Sequence, residues 1–294
     1  MAPDELDPQV WKLFDAYVHG ALDRRGFLEQ AARYCAGGLT AAALLGMLQP
    51  DFARAQKVPK DDKRLVSKPV EYPSPSGNGK GKGLWVEPAD RKGKLPGVLV
   101  IHENRGLNPH IEDVARRMAL EGFIAFAPDA LAPLGGYPGN EDDARALFGK
   151  LDAAKTRADM VAAAAFLATQ TTKIGTVGFC WGGGMAIWLA TQIPELGAAV
   201  GFYGSSPTAE ETAKIKAPLM LHYAENDERI NAGAPAFEEA LKKAGVKVQV
   251  FHYPGTQHGF NNDTTPRYNE AAAKQAWGRT VELFKKELAS ARPK

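Results

Sequence analysis

The sequence predicts an α/β fold with a mostly parallel central sheet and helices on both faces. Three observations predict it. Short apolar segments typical of buried strands alternate with segments of helical periodicity along residues 84–294. Residues 96–102 are apolar almost without interruption, which is typical of a parallel strand covered on both faces. At residues 173–190 a strand, a glycine-rich turn and a helix follow one another directly.

The elements of this pattern follow in chain order. An edge strand ended by proline is expected at residues 84–88. Further strands are expected at residues 96–102, 123–127, 173–177, 198–203, 218–223 and 246–253. Helices are expected at residues 111–121, 141–150, 156–169, 185–192, 234–244 and 269–289. The glycine- and proline-rich residues 131–140 predict a long loop of the kind that shapes substrate access.

The first 83 residues differ in character from the rest, which is expected to form the α/β domain at 84–294. Residues 56–83 are rich in Pro, Ser, Gly and Lys and are expected to be a linker or N-terminal extension. Within residues 1–55, Arg24 and Arg25 precede a moderately apolar run and an Ala-x-Ala cleavage site that ends at Ala55. This arrangement resembles a twin-arginine (Tat) signal, which predicts a periplasmic or secreted protein.

An alternative interpretation of residues 1–55 is a set of helices that stay docked on a cytoplasmic protein. It rests on apolar residues that recur at helical spacing, which an export signal does not require: Val10, Leu13, Phe14, Tyr17, Val18 and Leu22. In either case the apolar run at residues 34–48 is too short and too glycine-rich to anchor the chain stably in a membrane.

Composition excludes several classes of function. The net charge of +2 gives no indication of nucleic-acid binding, and the basic residues at 57–94 are interspersed with acidic ones. The two cysteines do not suggest a disulfide framework. The six histidines are dispersed, so neither a metal site nor a cofactor is expected. The sequence carries no signal for an oligomeric state.

The glycine-rich turn contains Gly178-Phe179-Cys180-Trp181-Gly182, which predicts a nucleophile elbow with cysteine at its centre. Such an elbow strains its central residue and needs small neighbours. The helix that follows directs its N-terminus at the side chain, which favours a thiolate. The alternatives are a buried cysteine in an ordinary turn or a phosphate-binding loop, but the lysine of a Walker motif is absent.

Two further residues follow later strands in the chain order that an α/β-hydrolase requires, namely nucleophile, acid and histidine. Asp227 follows the strand at 218–223, and His258 follows the strand at 246–253. Cys180, Asp227 and His258 are therefore expected at the same carboxyl edge of the sheet, which predicts an α/β-hydrolase fold. Glu225 is an alternative candidate for the acid. Asp227 could instead cap the N-terminus of the helix that begins nearby, and His258 could be a histidine of a surface loop.

The same fold predicts the oxyanion hole and the border of the site. The backbone N–H of Trp181, directly after the nucleophile, and that of Asn104, in an earlier loop, are expected to bind the oxyanion. His102 ends a strand beside this loop and is expected to contact substrate, as is Tyr137 in the long loop. The remaining strand histidines, His222 and His252, are expected to be structural.

These motifs together resemble the dienelactone hydrolase (carboxymethylenebutenolidase) family, and the resemblance extends from about residue 69 to 288. It rests on His102-Glu103-Asn104-Arg105-Gly106-Leu107, Ala127-Pro128-Asp129, Gly178-Phe179-Cys180-Trp181-Gly182-Gly183, Tyr253-Pro254-Gly255 and His258-Gly259-Phe260. Exported-type relatives with a similar N-terminal segment are the most alike.

The resemblance implies a Cys-His-Asp triad that hydrolyses a lactone or another ester. It also implies that Glu103 lies beside the resting thiol and takes its proton when substrate arrives. The family member that acts on dienelactone holds the substrate carboxylate with arginines, one of them shortly after the catalytic histidine. Here no arginine follows His258 until Arg267, and Arg105 is the other candidate.

The sequence thus predicts a cysteine-dependent ester or lactone hydrolase that acts on a small molecule. A broader carboxylesterase or thioesterase is the alternative among enzymes. A thiol sensor on a hydrolase scaffold is the alternative outside them, and Asp227 and His258 argue against it because a sensor needs neither.

Overall fold

The computed structural model describes residues 6–289. Its centre is a sheet of eight strands. Its strands are arranged in the order β1-β2-β4-β3-β5-β6-β7-β8. They are β1 (Leu65–Ser74), β2 (Gly79–Pro88), β3 (Gly97–Ile101), β4 (Ile124–Pro128), β5 (Ile174–Phe179), β6 (Ala198–Phe202), β7 (Leu219–Asn226) and β8 (Val248–Gln257). Strands β3 to β8 are parallel to one another, whereas β2 pairs antiparallel with both β1 and β4.

Helices cover both faces of this sheet, as predicted. The helices outside the first 55 residues are α5 (Pro109–Leu120), α6 (Glu141–Phe148), α7 (Ala153–Gln170), α8 (Trp181–Gln192), α9 (Ala209–Thr212), α10 (Glu228–Asn231), α11 (Ala234–Lys243) and α12 (Glu270–Glu287). Side chains of α7, α8 and α11 form a core with one face, and those of α5 and α12 form a core with the other. Both faces of the inner strands are therefore buried, which explains their uninterrupted apolar sequences.

The prediction of a linker at residues 56–83 is wrong for residues 65–83. These residues form β1 and the first half of β2, a hairpin at the edge of the sheet. Most side chains of β1 are exposed, so the strand lacks the apolar pattern that marks a buried one. The polar composition that suggested a linker is thus the composition of an edge strand.

The first 55 residues form four helices with a core of their own. They are α1 (Pro8–Val18), α2 (Arg24–Ala31), α3 (Ala41–Leu48) and α4 (Phe52–Ala55). A polar side chain caps the N-terminus of each one: Asp7, Asp23, Thr40 and Asp51. Their apolar faces meet in a separate cluster that includes Phe14, Tyr17, Phe27, Leu44 and Leu48. Among residues 6–289, no helix is long and apolar enough to cross a bilayer.

The C-terminal end of α1 is bound to the sheet domain by hydrogen bonds. The carbonyl oxygen of Val18 accepts from Asn104 Nδ2 at 2.9 Å and from Arg105 Nη2 at 3.0 Å. The carbonyl oxygen of Tyr17 accepts from Arg145 Nη1 at 2.6 Å. These carbonyls have no partner within the helix, and the negative end of its dipole favours cations. The contacts fix the residue that follows α1, His19, at the carboxyl edge of the sheet.

Candidate active site

Cys180 lies at a sharp turn between β5 and α8, with φ 55° and ψ −116°. A non-glycine residue with positive φ is strained, and such strain is common at functional sites. The Cys180 N–H donates to the carbonyl oxygen of Phe202 at 3.0 Å, which ties the turn to the neighbouring strand. The side chain is 8% exposed and stands at the N-terminus of α8.

Two glycines around Cys180 allow this turn to close. A Cβ atom on Gly178 would lie 1.9 Å from the carbonyl oxygen of Gly182. A Cβ atom on Gly182 would lie 2.4 Å from the carbonyl oxygens of Ile101 and His102. These are backbone atoms that cannot rotate away. The Gly-x-Cys-x-Gly pattern is therefore required by the close approach of β5, β3 and α8.

Asp227 and His258 meet at the same edge of the sheet. His258 Nδ1 lies 2.5 Å from Asp227 Oδ2, and both side chains are buried. Asp227 also accepts from the Ile230 N–H at 3.3 Å and so caps α10. The alternative role as an N-cap is thus present together with the histidine contact. Glu225, the other candidate acid, instead accepts from the Gly255 N–H at 2.7 Å.

Two imidazoles face the Cys180 sulfur, and one of them comes from the N-terminal helices. His19 Nε2 lies 3.3 Å from Cys180 Sγ. A ring nitrogen of His258 lies within 4.8 Å of both atoms. The rings of His19 and His258 meet edge to face with centroids 4.7 Å apart. His19 was not among the residues predicted for the site, since its position in the sequence carried no catalytic motif.

The charges of this cluster favour a thiolate. Burial raises the pKa of Cys180, but the charges of His258 and His19 outweigh it and lower the pKa to about 5. Burial likewise lowers the pKa of His258, but Cys180 and Asp227 outweigh it and raise the pKa to about 10. At neutral pH the cluster therefore holds an ionised sulfur beside a protonated imidazole.

The loop after β3 lines the same cavity with Glu103, Asn104 and Arg105. Glu103 Oε2 accepts from Asn262 Nδ2 at 3.0 Å, so the observed hydrogen bond of this carboxylate is to an amide and not to the thiol. Trp181 is the first residue of α8, where an N–H has no partner within the helix. Its N–H and that of Asn104 stay the predicted donors of the oxyanion hole.

Two of the predicted substrate contacts, His102 and Tyr137, do not themselves line this cavity, although Glu141, the partner of Tyr137, does. His102 is fully buried, with Nδ1 2.5 Å from the Glu103 carbonyl oxygen and Nε2 accepting from the Ala130 N–H at 3.0 Å. Tyr137 donates to Glu141 at 3.1 Å. Neither belongs to the residues that line the cavity around Cys180 within the described part of the chain. Both positions are explained by structural hydrogen bonds.

The two arginines that were candidates for a substrate carboxylate both line the cavity, but they differ in their partners. Arg105 donates from Nη1 and Nη2 to the carbonyl oxygens of Asn104 and Val18, and its Nε forms an ion pair with Glu141 at 3.4 Å without a hydrogen bond among the described residues. Within residues 6–289, Nε and Nη1 of Arg267 are buried without a hydrogen-bond partner. The Asp15 carboxylate lies 3.8 Å from Nη1.

The side chains of His19, Cys180 and His258 are of types that bind metals and lie close enough to share one ion. A guanidinium nitrogen of Arg229 lies 3.0 Å from His19 Nε2, however, and a dication there would face this cation. We therefore interpret the cluster as a thiolate between two imidazoles. His222, the strand histidine expected to be structural, contacts Tyr253 and Thr280 in the core.

Comparison with known proteins places this site in a family. The model described as "Dienelactone hydrolase family" matches residues 82–288, and one described as "YqhI-like" matches residues 1–34. Over 114 residues the chain is 52% identical to "Putative hydrolase fragment YghX" of Escherichia coli, covering 39% of this chain and 97% of the relative. It is also 34% identical to a "Putative carboxymethylenebutenolidase" of Synechocystis over 227 residues, and this match covers 70% of this chain and 92% of the relative.

A solved structure gives the same result. The "Putative Dienelactone Hydrolase" from Klebsiella pneumoniae superposes with a TM-score of 0.66 at 29% identity, covering 75% of this chain and 99% of that one. An esterase structure with 18% identity and a TM-score of 0.63 covers 97% of this chain and supports the fold.

Alkylation by iodoacetamide tests the ionisation of Cys180. Because the pKa is lowered to about 5, the thiolate is present above that pH and lost below it. We expect the alkylation rate of the Cys180 peptide, followed by mass spectrometry, to rise between about pH 4 and 6 and then level off. A rate that still rises near pH 8.5, as for an ordinary thiol, would contradict the lowered pKa. A Cys35→Ser background removes the other thiol.

Proposed function

This chain belongs to the dienelactone hydrolase family of α/β-hydrolases, and from that premise we propose that it cleaves a lactone or another carboxylic ester through a Cys180-His258-Asp227 triad. The family identifies a hydrolase of this type with a small-molecule substrate. One observation carries the assignment of residues: Cys180 sits strained at the elbow, facing a histidine whose other nitrogen contacts a buried carboxylate.

Acylation begins from the ionised sulfur. The Cys180 thiolate attacks the ester carbonyl carbon, and the carbonyl oxygen becomes an oxyanion. The N–H groups of Trp181 and Asn104 stabilise that charge, a contribution of about 3 kcal/mol for each donor in comparable sites. The intermediate collapses to a thioester, and the leaving oxygen takes a proton from the His258 imidazolium. His258 is then neutral, with Asp227 holding its ring.

Deacylation reverses the direction of proton transfer. Neutral His258 takes a proton from a water molecule, and the oxygen of that water attacks the thioester carbon. Collapse of the second intermediate releases the acid and returns Cys180 as a thiolate beside protonated His258. Asp227 orients the ring in both halves of the cycle through its contact with Nδ1. No cofactor takes part in these steps.

A role for Glu103 as proton acceptor of the resting thiol stays a proposal. The carboxylate lines the cavity, which supports it, but its hydrogen bond is to Asn262. With the pKa of Cys180 at about 5, the sulfur is ionised at neutral pH without a further base. We infer that Glu103 contributes a negative charge to the cavity, while the imidazoles stabilise the thiolate.

The alternatives differ in what they require of the site. A carboxylesterase or thioesterase uses the same residues with a different pocket, so only substrates distinguish it. A thiol sensor needs a reactive Cys180 but not the contact between His258 and Asp227. That buried contact favours an enzyme over a sensor.

Export also stays a proposal, and it conflicts with the role of α1 if the chain is cleaved after Ala55. In the folded chain Arg24 and Arg25 begin α2, and Arg24 pairs with Asp142 at 2.9 Å. Mass spectrometry of the protein from its native host distinguishes export with cleavage from a retained N-terminal segment. A mature terminus near Gln56 supports export and cleavage, and a terminus at Met1 or Ala2 supports a retained segment.

Substitution of the triad residues tests the mechanism. We expect Cys180→Ala to abolish hydrolysis of a p-nitrophenyl ester and His258→Ala to lower kcat by about 10³-fold or more. Cys180→Ser should keep only weak activity, because a site that stabilises a thiolate activates a hydroxyl poorly. Cys35→Ser is the matched control and should leave the rate unchanged. Full activity of Cys180→Ala would refute the assignment.

Arg267 tests whether the substrate is anionic. Arg267 lines the cavity, and its Nε and Nη1 have no hydrogen-bond partner within residues 6–289, although the Asp15 carboxylate lies 3.8 Å from Nη1. Free donors of this kind suit a carboxylate on the substrate. We expect Arg267→Gln to lower kcat/KM about tenfold or more for the p-nitrophenyl ester of succinic acid, and far less for that of butyric acid. Equal losses on both esters would assign Arg267 a structural role. A parallel assay on lactones and thioesters defines the substrate class.

A further inference from the structure

We propose that His19 is a second catalytic histidine, which holds the Cys180 thiolate from the N-terminal helices and so completes the active site with a part of the chain outside the hydrolase domain. This inference rests on the proposed role of Cys180 as nucleophile. It concerns a residue that precedes the segment matched by the dienelactone hydrolase model, which begins at residue 82.

The contact between His19 and the sulfur is the first support. His19 Nε2 lies 3.3 Å from Cys180 Sγ, within hydrogen-bond distance for sulfur, and is the ring nitrogen with the shortest described contact to it. His258 Nε2 is buried without a hydrogen-bond partner in the described part of the chain. Both imidazoles thus flank the sulfur, and His19 makes the shorter described contact.

The second support is a carboxylate that orients His19 as Asp227 orients His258. His19 Nδ1 donates to the Asp15 carbonyl oxygen at 2.8 Å, and the Asp15 carboxylate lies 3.1 Å from the same nitrogen. With Nδ1 carrying a proton, Nε2 is the nitrogen that faces sulfur. Each imidazole of the site thus has an acidic partner behind it, and the two pairs converge on Cys180.

The third support is the rigid placement of His19. The residue follows α1 directly, and Asn104, Arg105 and Arg145 bind the last carbonyl oxygens of that helix. Phe14 and Tyr17 anchor the same helix in the N-terminal core. A histidine on a mobile terminus would lose its orientation, whereas this one is held from two sides.

The charge of the ring agrees with this role. Burial lowers the pKa of His19, but Cys180 and Asp15 outweigh it and raise the pKa, so the ring favours its protonated form. Protonated Nε2 donates to the thiolate. The Arg229 guanidinium, whose Nη2 lies 3.0 Å from the same nitrogen, opposes that protonation, so the charges of Cys180 and Asp15 act against it. The other charged or titratable groups around the sulfur, within residues 6–289, are His258, Asp227, Glu103, Arg105, Glu141, Asp142, Tyr17, Tyr203 and Arg267.

The pH dependence of Cys180 in His19 variants tests the proposal in the full-length chain. We expect His19→Ala to raise the pH midpoint of Cys180 alkylation by about 1 to 3 units, because a neighbouring positive charge is lost. The acidic limb of kcat/KM for a p-nitrophenyl ester should shift equally. A shift from pH 5 to 7 lowers the thiolate fraction at pH 6 about tenfold.

Two further variants separate this effect from loss of the helix. His19→Gln keeps a neutral donor near the same position, so its shift should be smaller than that of His19→Ala. Lys12→Ala lies on the same helix and removes only the exposed pair with Glu228, so its midpoint should equal that of the wild type. If Lys12→Ala shifts the midpoint by the same amount, then docking of the helix, and not His19, determines the pKa of Cys180.

The outcomes distinguish this inference from the proposed function. If Cys180→Ala is inactive but both His19 variants keep the wild-type midpoint and pH profile, the role of His19 is refuted and the triad stands. If Cys180→Ala keeps full activity, the triad itself fails. Circular dichroism of each variant checks that the helices remain folded.

Discussion

The strained turn at Cys180 is the constraint on which the site depends. The turn can form only because glycine at 178 and 182 lets β5, β3 and α8 approach at backbone contact. That approach lifts the sulfur above the carboxyl edge of the sheet and places it at a helix N-terminus. Because the strands are parallel, the loops after β3, β7 and β8 end at the same edge. Every other group of the site is positioned relative to this one atom.

Several residues of the site serve structure and chemistry at once. Asp227 caps α10 and contacts His258, so the cap fixes the direction of the carboxylate. Arg105 lines the cavity and binds the last carbonyl of α1. Such shared roles mean that mutational losses at these positions combine folding and chemistry. They also explain why two roles predicted for one residue can both be correct. Asp227, for example, was a candidate both for a helix cap and for the catalytic acid.

The parallel sheet and its order of helices could be predicted from the sequence, because they depend on local periodicity. The convergence of Cys180, Asp227 and His258 is a prediction from a short motif and from chain order, and the contact between His258 and Asp227 agrees with it. The edge hairpin of β1 was missed because an exposed strand carries no apolar pattern. His19 was missed for a different reason. Helical periodicity predicted which face of α1 is buried, but not the surface it is buried against. The contact spans 161 positions of sequence, and no local pattern encodes it.

The burial of Cys180 beneath the N-terminal helices also bears on its chemical durability. An ionised sulfur is the form that peroxides oxidise, first to a sulfenic acid and then irreversibly beyond it. Oxidation follows exposure as well as ionisation, and this sulfur is only 8% exposed. By closing over the turn, α1 shelters a sulfur that is charged at neutral pH from oxidants in solution. Helix α1, which positions His19, thereby also protects the Cys180 sulfur that His19 contacts.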